Sequence, residues 1–213
     1  MNLIDALNWR YATKQFDPSK KVGDADLETI LTAGNLAATS YGLQPFKFVI
    51  VSDQKTQDEL VPFSYNQPQV SQASHVIVLA ARTDVDEAFI RNMARLAEKV
   101  RDLPQGELDG YAKQMIGALM SMTNEQRVHW AQKQIYIALA NMMTACAALK
   151  VDSCPMEGFV PSQYDRLLNL GDQSLTATVL LPVGYRSEDD QQQNFAKVRN
   201  PLDQIVVRHS AEV

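Results

Sequence analysis

Two pairs of basic residues are the strongest candidates for chemistry in this sequence. Arg10 lies four positions before Lys14 near one end of the chain, and Lys197 lies two positions before Arg199 near the other. If the second pair is in extended backbone, its two side chains point to the same side. Cations that face one way suit a phosphate group, which takes several charge-assisted hydrogen bonds. The alternative interpretation is solvated surface charge, because most charged residues are exposed.

Other reactive side chains are not arranged for catalysis or for metal binding. His75, His129 and His209 lack the close spacing of metal ligands, so we expect no metal site. Cys146 and Cys154 form no CxxC pair, and we expect no basic residue near Cys154 that would lower its thiol pKa. The chain contains no phosphate loop, no serine or zinc hydrolase motif and no glycine fingerprint of a dinucleotide fold. The residues alone therefore indicate an α+β domain without a recognisable protein nucleophile, in which an anion site and plain surface charge both stay open for the basic pairs.

Length and composition favour a single globular domain over residues 1–213. Of the 213 residues, 46% are apolar and 21% are charged, close to the average of folded proteins, so a buried core is expected. The formal net charge of −5 argues against nucleic acid or an anionic membrane as a partner. No secretory leader is visible, and no apolar window reaches the ~18 residues of a membrane span. We therefore expect a cytoplasmic protein that does not enter the membrane.

Four segments with apolar residues at helical spacing must supply most of the framework. The predicted helices cover residues 3–10, a segment after an N-cap at Asp24, residues 84–100 and residues 123–149. Thr123 and Gln126 match a capping box at the start of the last helix. Between Ile135 and Leu149 this helix is apolar on nearly every side, which is typical of a central buried helix.

The sheet is predicted from segments rich in β-branched and apolar residues. They predict strands over residues 46–51, 75–81 and 175–184, and a short fourth strand over residues 205–207. Long helices separate these strands along the chain. This order indicates an α+β fold in which a small sheet is covered by helices.

The basic pairs lie within a longer series of motifs that resembles the nitroreductase family. Residues 10–17 (RYATKQFD) are similar to its R-x-x-x-K-x-F-D segment, and residues 39–48 (TSYGLQPFKF) to its S-S-x-x-x-Q-P-W-x-F segment. Residues 155–159 (PMEGF) match its P-x-E-G-F segment, and residues 197–199 match its C-terminal basic pair. The motifs follow the family's order from about residue 3 to 207, and the oxygen-insensitive bacterial type is the most similar group.

The resemblance implies both an architecture and an activity. The implied fold is a three-layer α+β sandwich with a mixed or antiparallel central sheet, and two chains intertwine as a homodimer that holds two FMN molecules at its interface. The implied activity transfers hydride from NAD(P)H through the flavin to nitroaromatic or quinone acceptors by a ping-pong mechanism. No protein nucleophile is required, since the protein positions two flat molecules for hydride transfer.

The resemblance also assigns roles to particular residues. Arg10, Lys197 and Arg199 are implied to bind the FMN phosphate. Lys14 is implied to act in catalysis at the N1/C2 edge of the flavin, where it stabilises the negative charge of the reduced ring. The whole set implied to contact the cofactor is Arg10, Tyr11, Ala12, Lys14, Thr39, Ser40, Asn66, Gln69, Pro155, Met156, Glu157, Gly158, Lys197 and Arg199.

A second catalytic position is implied at Glu157. Its peptide with Gly158 is implied to offer N–H groups to N5 and O4 of the flavin, and glycine permits a close approach of the backbone. Tyr41, Tyr65 and Gly158 are implied to contact the substrate.

Three positions depart from the family's pattern. Ala12 cannot supply the hydroxyl group that is frequent there, and Gln69 lacks the charge of the lysine found in several members. Tyr41 is larger than the usual hydroxyl residue and is expected to narrow the pocket. Reductive dehalogenation, flavin breakdown and a non-catalytic FMN-binding role stay open as alternatives on the same fold.

Overall fold

The computed structural model describes residues 2–209. Helices and strands alternate irregularly along this part of the chain. The helices are α1 (Leu3–Trp9), α2 (Asp24–Asn35), α3 (Gln54–Leu60), α4 (Gln69–Gln72), α5 (Glu87–Val100), α6 (Asp109–Met120), α7 (Asn124–Leu149), α8 (Pro161–Leu167) and α9 (Leu202–Ile205). The strands are β1 (Phe46–Val51), β2 (His75–Arg82), β3 (Asp152–Ser153) and β4 (Leu175–Gly184).

The strands form one antiparallel sheet in the order β1-β2-β4-β3. Val78 of β2 lies opposite Val49 of β1 and Leu180 of β4, so the middle of the sheet is almost entirely aliphatic. β2 is buried along its length because helices cover both faces of the sheet. The three longer strands lie where the sequence predicts them.

Alternation along β2 divides the core into two layers. Val76, Val78 and Ala80 face a cluster that includes residues of α3, α4 and α8. Ile77 and Leu79 face the opposite cluster, which α2 and α7 cover. Because side chains of a strand alternate between its faces, one strand serves both cores. The predicted three-layer sandwich is therefore confirmed.

The longest helix, α7, spans 26 residues and begins at the predicted capping box. The side chain of Thr123 accepts the backbone N–H of Gln126, and the Gln126 side chain accepts the N–H of Thr123. The side of α7 that carries Ile135 and Met142 is buried, whereas Ile137 is 43% exposed. One apolar face of this central helix is therefore uncovered in the single chain.

The sequence predictions were wrong at several helix and strand ends. The helix predicted over residues 84–100 begins only at Glu87, after an N-cap at Asp86. Ile205 closes the short helix α9, so the strand predicted over residues 205–207 is not formed. Gly23 occupies the N-cap of α2 and Asp24 is its first residue, where a carboxylate still interacts favourably with the helix dipole. The sequence patterns did not reveal α6, a helix that contains Gly110 and Gly117. Within residues 2–209, none of the helices is long and apolar enough to cross a membrane.

Candidate functional site

A basic cavity of about 340 Å³ lies between the segment after α1 and the segment before α9. Its walls bring together the two basic pairs that are far apart in sequence. The lining residues are Asn8, Trp9, Arg10, Tyr11, Ala12, Lys14, Gln192, Gln193, Phe195, Ala196, Lys197 and Arg199. A volume of ~300–1,000 Å³ is usual for pockets that bind small molecules.

Unfavourable electrostatics keep the cations of this cavity ready for an anion. Burial and the nearby Arg199 lower the pKa of Arg10, and its buried Nε has no hydrogen-bond partner within residues 2–209. Desolvation, Arg10 and Arg199 lower the pKa of Lys197, whose ammonium donates to the backbone carbonyl of Arg10. An anion in the cavity would relieve this repulsion and satisfy the buried donor.

Asp190 fixes the two walls of the cavity to each other. Its Oδ2 accepts the backbone N–H groups of Lys14 at 2.8 Å and Gln15 at 3.2 Å, and the hydroxyl of Tyr11 at 3.0 Å. Its Oδ1 accepts the backbone N–H of Gln192 at 3.0 Å. Burial raises the pKa of Asp190, but these hydrogen bonds outweigh burial and leave the pKa below its ordinary value. Asp190 is only 1% exposed.

An ion pair supports the segment that carries Arg10 and Tyr11. The guanidinium of Arg186 contacts Asp152 Oδ1 at 2.6 Å, and the backbone N–H of Arg186 donates to Oδ2 at 2.9 Å. The same guanidinium stacks over Trp9 at 4.4 Å and Tyr11 at 4.6 Å from their ring centres. The ring of Tyr11 therefore packs against Arg186, and its hydroxyl donates a hydrogen bond to Asp190.

Lys14 approaches a buried thiol on the inner side of the cavity. Its Nζ lies 4.0 Å from Cys154 Sγ. The prediction that no basic residue lies near Cys154 was wrong, because the fold brings the segment after α1 alongside β3. Burial raises the pKa of this thiol, while the Lys14 ammonium offsets part of the effect. Thr13 Oγ1 and Gln69 Oε1 are also buried, without a hydrogen-bond partner within the described residues.

A second group of predicted residues surrounds Gly158. Tyr65 and Asn66 both have left-handed backbone, with φ of 53° and 58°. Gln67 Nε2 donates to the carbonyl of Gly158 at 2.8 Å and ties this loop to the 157–160 segment. A Cβ at Gly158 would lie 2.9 Å from the same Gln67 nitrogen, so a larger residue here would displace the end of the Gln67 side chain.

Glu157 is held by a residue that the sequence analysis did not select. The hydroxyl of Tyr136, on the exposed side of α7, donates to Glu157 Oε1 at 2.5 Å. Burial and this carboxylate raise the pKa of Tyr136 to about 12, so the phenol stays protonated at neutral pH. Tyr136 therefore restrains the side chain of Glu157.

A third group, Thr39 to Tyr41, lies on a separate turn. The backbone N–H of Ser40 donates to Gln134 Oε1 of α7 at 2.8 Å. Tyr41 has φ of 59° and packs edge-on against Tyr111 of α6, with ring centres 6.4 Å apart. Within residues 2–209, no hydrogen bond, ion pair or aromatic contact joins this turn to the other two groups.

The remaining predicted residues connect the first two groups along the chain. Ala12 forms a parallel bridge with Ser153, and Met156 forms an antiparallel bridge with Leu180. Met156 is 4% exposed and belongs to the core, and its backbone N–H and carbonyl are both paired with Leu180, so it anchors this segment to β4. Pro155 lies between Cys154 and Met156 and continues this surface.

Two residues that support the site were missed for a physical reason. Asp190 is one of three consecutive acidic residues, Glu188 to Asp190, and no sequence pattern distinguishes it from its exposed neighbours. Tyr136 stands within an apolar helical stretch. No group of His, Cys, Asp and Glu side chains in the described part of the chain could hold a metal ion.

Comparison with known proteins places this geometry in a family. The family model described as the nitroreductase family matches residues 7–185. YfkO from Bacillus subtilis, provisionally named an NAD(P)H nitroreductase, is 37% identical over 96% of both chains. The structure of a nitroreductase family protein from Streptococcus pneumoniae TIGR4 has a TM-score of 0.83 at 24% identity, and the match covers 98% of this chain and 100% of that one.

A further solved structure comes from Exiguobacterium sibiricum 255-15. This protein, provisionally named a nitroreductase and solved in complex with FMN, has a TM-score of 0.85 at 18% identity, with 98% of both chains covered. At such identities the solved structures establish the shared fold, whereas the family model and YfkO establish kinship. The chain belongs to the nitroreductase family.

Proposed function

We propose that this protein is an FMN-dependent oxidoreductase that transfers hydride from NAD(P)H to flat acceptors such as nitroaromatics and quinones. The basic cavity carries this proposal, because Arg10, Lys14, Lys197 and Arg199 converge on one space. Relatives named as NAD(P)H nitroreductases and an FMN complex of the same fold support it.

The residues of the cavity fit a flavin phosphate. A phosphate offers several acceptor oxygens, and the unpaired Nε of Arg10 is a buried donor without a partner in the described chain. Arg10, Lys197 and Arg199 bind the phosphate in this proposal, and the exposed Lys14 extends the site towards the ring. A charge-assisted bond to the partly buried Arg10 contributes about 1.5–3 kcal/mol, and bonds to the exposed Lys197 and Arg199 contribute less.

A bound FMN would supply two-electron hydride chemistry between NAD(P)H and the second substrate. Lys14 would provide a fixed positive charge beside the N1/C2 side of the ring, and such preorganised charge favours the reduced state. The 157–158 peptide would offer backbone N–H groups to the ring. Tyr136 would restrain the side chain of Glu157 through its hydrogen bond.

A second copy of the chain completes the site in this proposal. Thr39, Ser40 and Tyr41 lie on their own turn, and within residues 2–209 no hydrogen bond, ion pair or aromatic contact joins them to the lining of the basic cavity. Several apolar side chains are exposed in the single chain and could pack against a partner subunit. They are Leu3 and Ile4 of α1, Ile137 of α7, and Phe195, Val198, Leu202, Ile205 and Val207 near the other end of the chain. An extended apolar surface of this kind is typical of subunit interfaces.

The proposed reaction is ping-pong: NAD(P)⁺ would leave after hydride transfer, before the acceptor enters the same open face. Anaerobic mixing of FMN-loaded protein with NADPH or NADH tests this function. We expect rapid loss of flavin absorbance, restored when a quinone or nitroaromatic is added. A protein that binds FMN but is never reduced would be a non-catalytic flavin carrier, and a halogenated phenol that alone restores absorbance would indicate a dehalogenase.

A further inference from the structure

The basic cavity has an N-terminal wall, formed by the segment after α1, and a C-terminal wall, formed by the segment before α9. Asp190 connects these two walls and is itself not exposed to a ligand. One carboxylate oxygen binds three donors of the N-terminal wall, namely the N–H groups of Lys14 and Gln15 and the hydroxyl of Tyr11. The other oxygen binds the N–H of Gln192 on the C-terminal wall. Asp190 itself belongs to the C-terminal wall, so Oδ2 holds that wall to the N-terminal one, while Oδ1 caps the 190–192 turn within its own wall.

The C-terminal wall depends on few other attachments. Residues 187–199 are joined to the N-terminal wall by the hydrogen bonds of Asp190 and by two others in the described chain. In these two, the N–H of Ser187 donates to the carbonyl of Gln15, and the Lys197 ammonium donates to the carbonyl of Arg10. The contact of Lys197 is exposed and contributes little by itself. Asp190 thus makes more of these hydrogen bonds than any other residue of the segment that leads to Lys197 and Arg199.

We propose that Asp190 is the positioning residue of the anion site: it sets the spacing of the cationic segments 10–14 and 197–199, and so creates the affinity for the phosphate of the flavin. This inference rests on the proposed FMN-dependent function. Asp190 acts through its neighbours and does not itself touch the cofactor.

Replacement by asparagine separates this role from packing. Asp190→Asn keeps the shape of the side chain, but one carboxylate oxygen becomes an NH₂ group. Every surrounding partner is a donor in the wild-type protein, so the NH₂ group faces either the N–H of Gln192 or the donors of the N-terminal wall. Even in the better orientation, the remaining amide oxygen is neutral and binds the three N-terminal donors more weakly than a carboxylate does, so the two walls are held together less tightly.

Asp165→Asn is a matched control at the far end of β4. Asp165 also ties a helix to a strand, accepting the N–H of Ala177 at 2.7 Å and the hydroxyl of Thr176 at 2.8 Å. Asp165→Asn is expected to lower thermal stability without changing FMN affinity. Comparing the two variants distinguishes loss of a structural hydrogen bond from loss of the anion site.

The experiment measures the affinity of each apoprotein for FMN and for riboflavin, and the protection of each against heat by inorganic phosphate. For Asp190→Asn we expect FMN affinity to fall about tenfold to a hundredfold, riboflavin affinity to stay within about twofold, and phosphate protection to disappear. Tyr11→Phe removes one of the four donors and is expected to show a smaller loss in the same direction, which provides a test if Asp190→Asn does not fold.

Two outcomes would overturn the inference. If wild-type protein binds FMN and Asp190→Asn binds it equally well, Asp190 does not set the site. If FMN and riboflavin affinities fall equally in the variant, Asp190 supports the fold in general. Wild-type protein that binds no FMN would instead refute the proposed function, and the two failures are therefore distinguishable.

Discussion

The burial of Arg10 leads to a quantitative prediction about the phosphate site. Arg10 is partly buried and its Nε lacks a partner, whereas Arg199 is exposed and its guanidinium already donates to the carbonyl of Val198. A charge-assisted bond in the less solvated position contributes about 1.5–3 kcal/mol. At the exposed position, solvent reduces an ionic contact to about 0.2–1 kcal/mol. We therefore expect Arg10→Met to weaken FMN binding about tenfold to 150-fold, and Arg199→Met about fivefold or less.

Equilibrium titration of the apoproteins with FMN, followed by flavin fluorescence, measures both values under one salt concentration. Arg166→Met is the control, because Arg166 is an exposed arginine on α8 and does not line the cavity. Its variant should bind FMN like the wild type. A larger loss for Arg199→Met than for Arg10→Met would refute the argument, since affinity would then not follow burial and unsatisfied donors.

Three further predictions follow from named contacts. Lys14→Met should lower the reduction potential of the bound flavin, measured by dye-coupled potentiometry, and should change the affinity for oxidised FMN less. A variant with an unchanged potential and a lost affinity for FMN would instead place Lys14 at the phosphate. The pKa of Lys197 is lowered in the free protein. Sulfate should therefore raise the melting temperature most at pH values below that pKa, and less as the pH rises towards 10.5. Lys197→Met should abolish this pH dependence. Gly34→Ala should lower the free energy of unfolding by about 1–3 kcal/mol, measured in urea, since the new Cβ would lie 2.5 Å from Met142 Cε. The control is Gly117→Ala on the open side of α6, which should be neutral or stabilising.

Periodicity predicted the elements whose burial pattern is simple. β2 and β4 are buried on both faces and appear in the sequence as continuous apolar runs. The capping box of Thr123 and Gln126 identified the start of α7 because its two hydrogen bonds are local. β3 escaped prediction because its two residues are defined only by pairing with β4.

The sequence predicts residues of the candidate site only where the type of side chain itself indicates the chemistry. Arg10, Lys14, Lys197 and Arg199 were selected as cations, and the fold brings them to one cavity. Asp190 acts through three backbone N–H groups and a tyrosine hydroxyl, and these partners are 175 or more residues away apart from Gln192. The contact between Lys14 and Cys154 likewise joins residues 140 positions apart. Such contacts depend on tertiary structure and leave no periodic trace in the sequence.

The identity and amount of the flavin in the purified protein test the central claim most directly. Acid releases a flavin that is not covalently attached, and chromatography distinguishes FMN from FAD and riboflavin. Since each chain has one basic cavity of this composition within its described residues, the account predicts a yellow protein that carries, or takes up, one FMN for each chain. A colourless protein that ignores added FMN, or one that releases FAD, would contradict it.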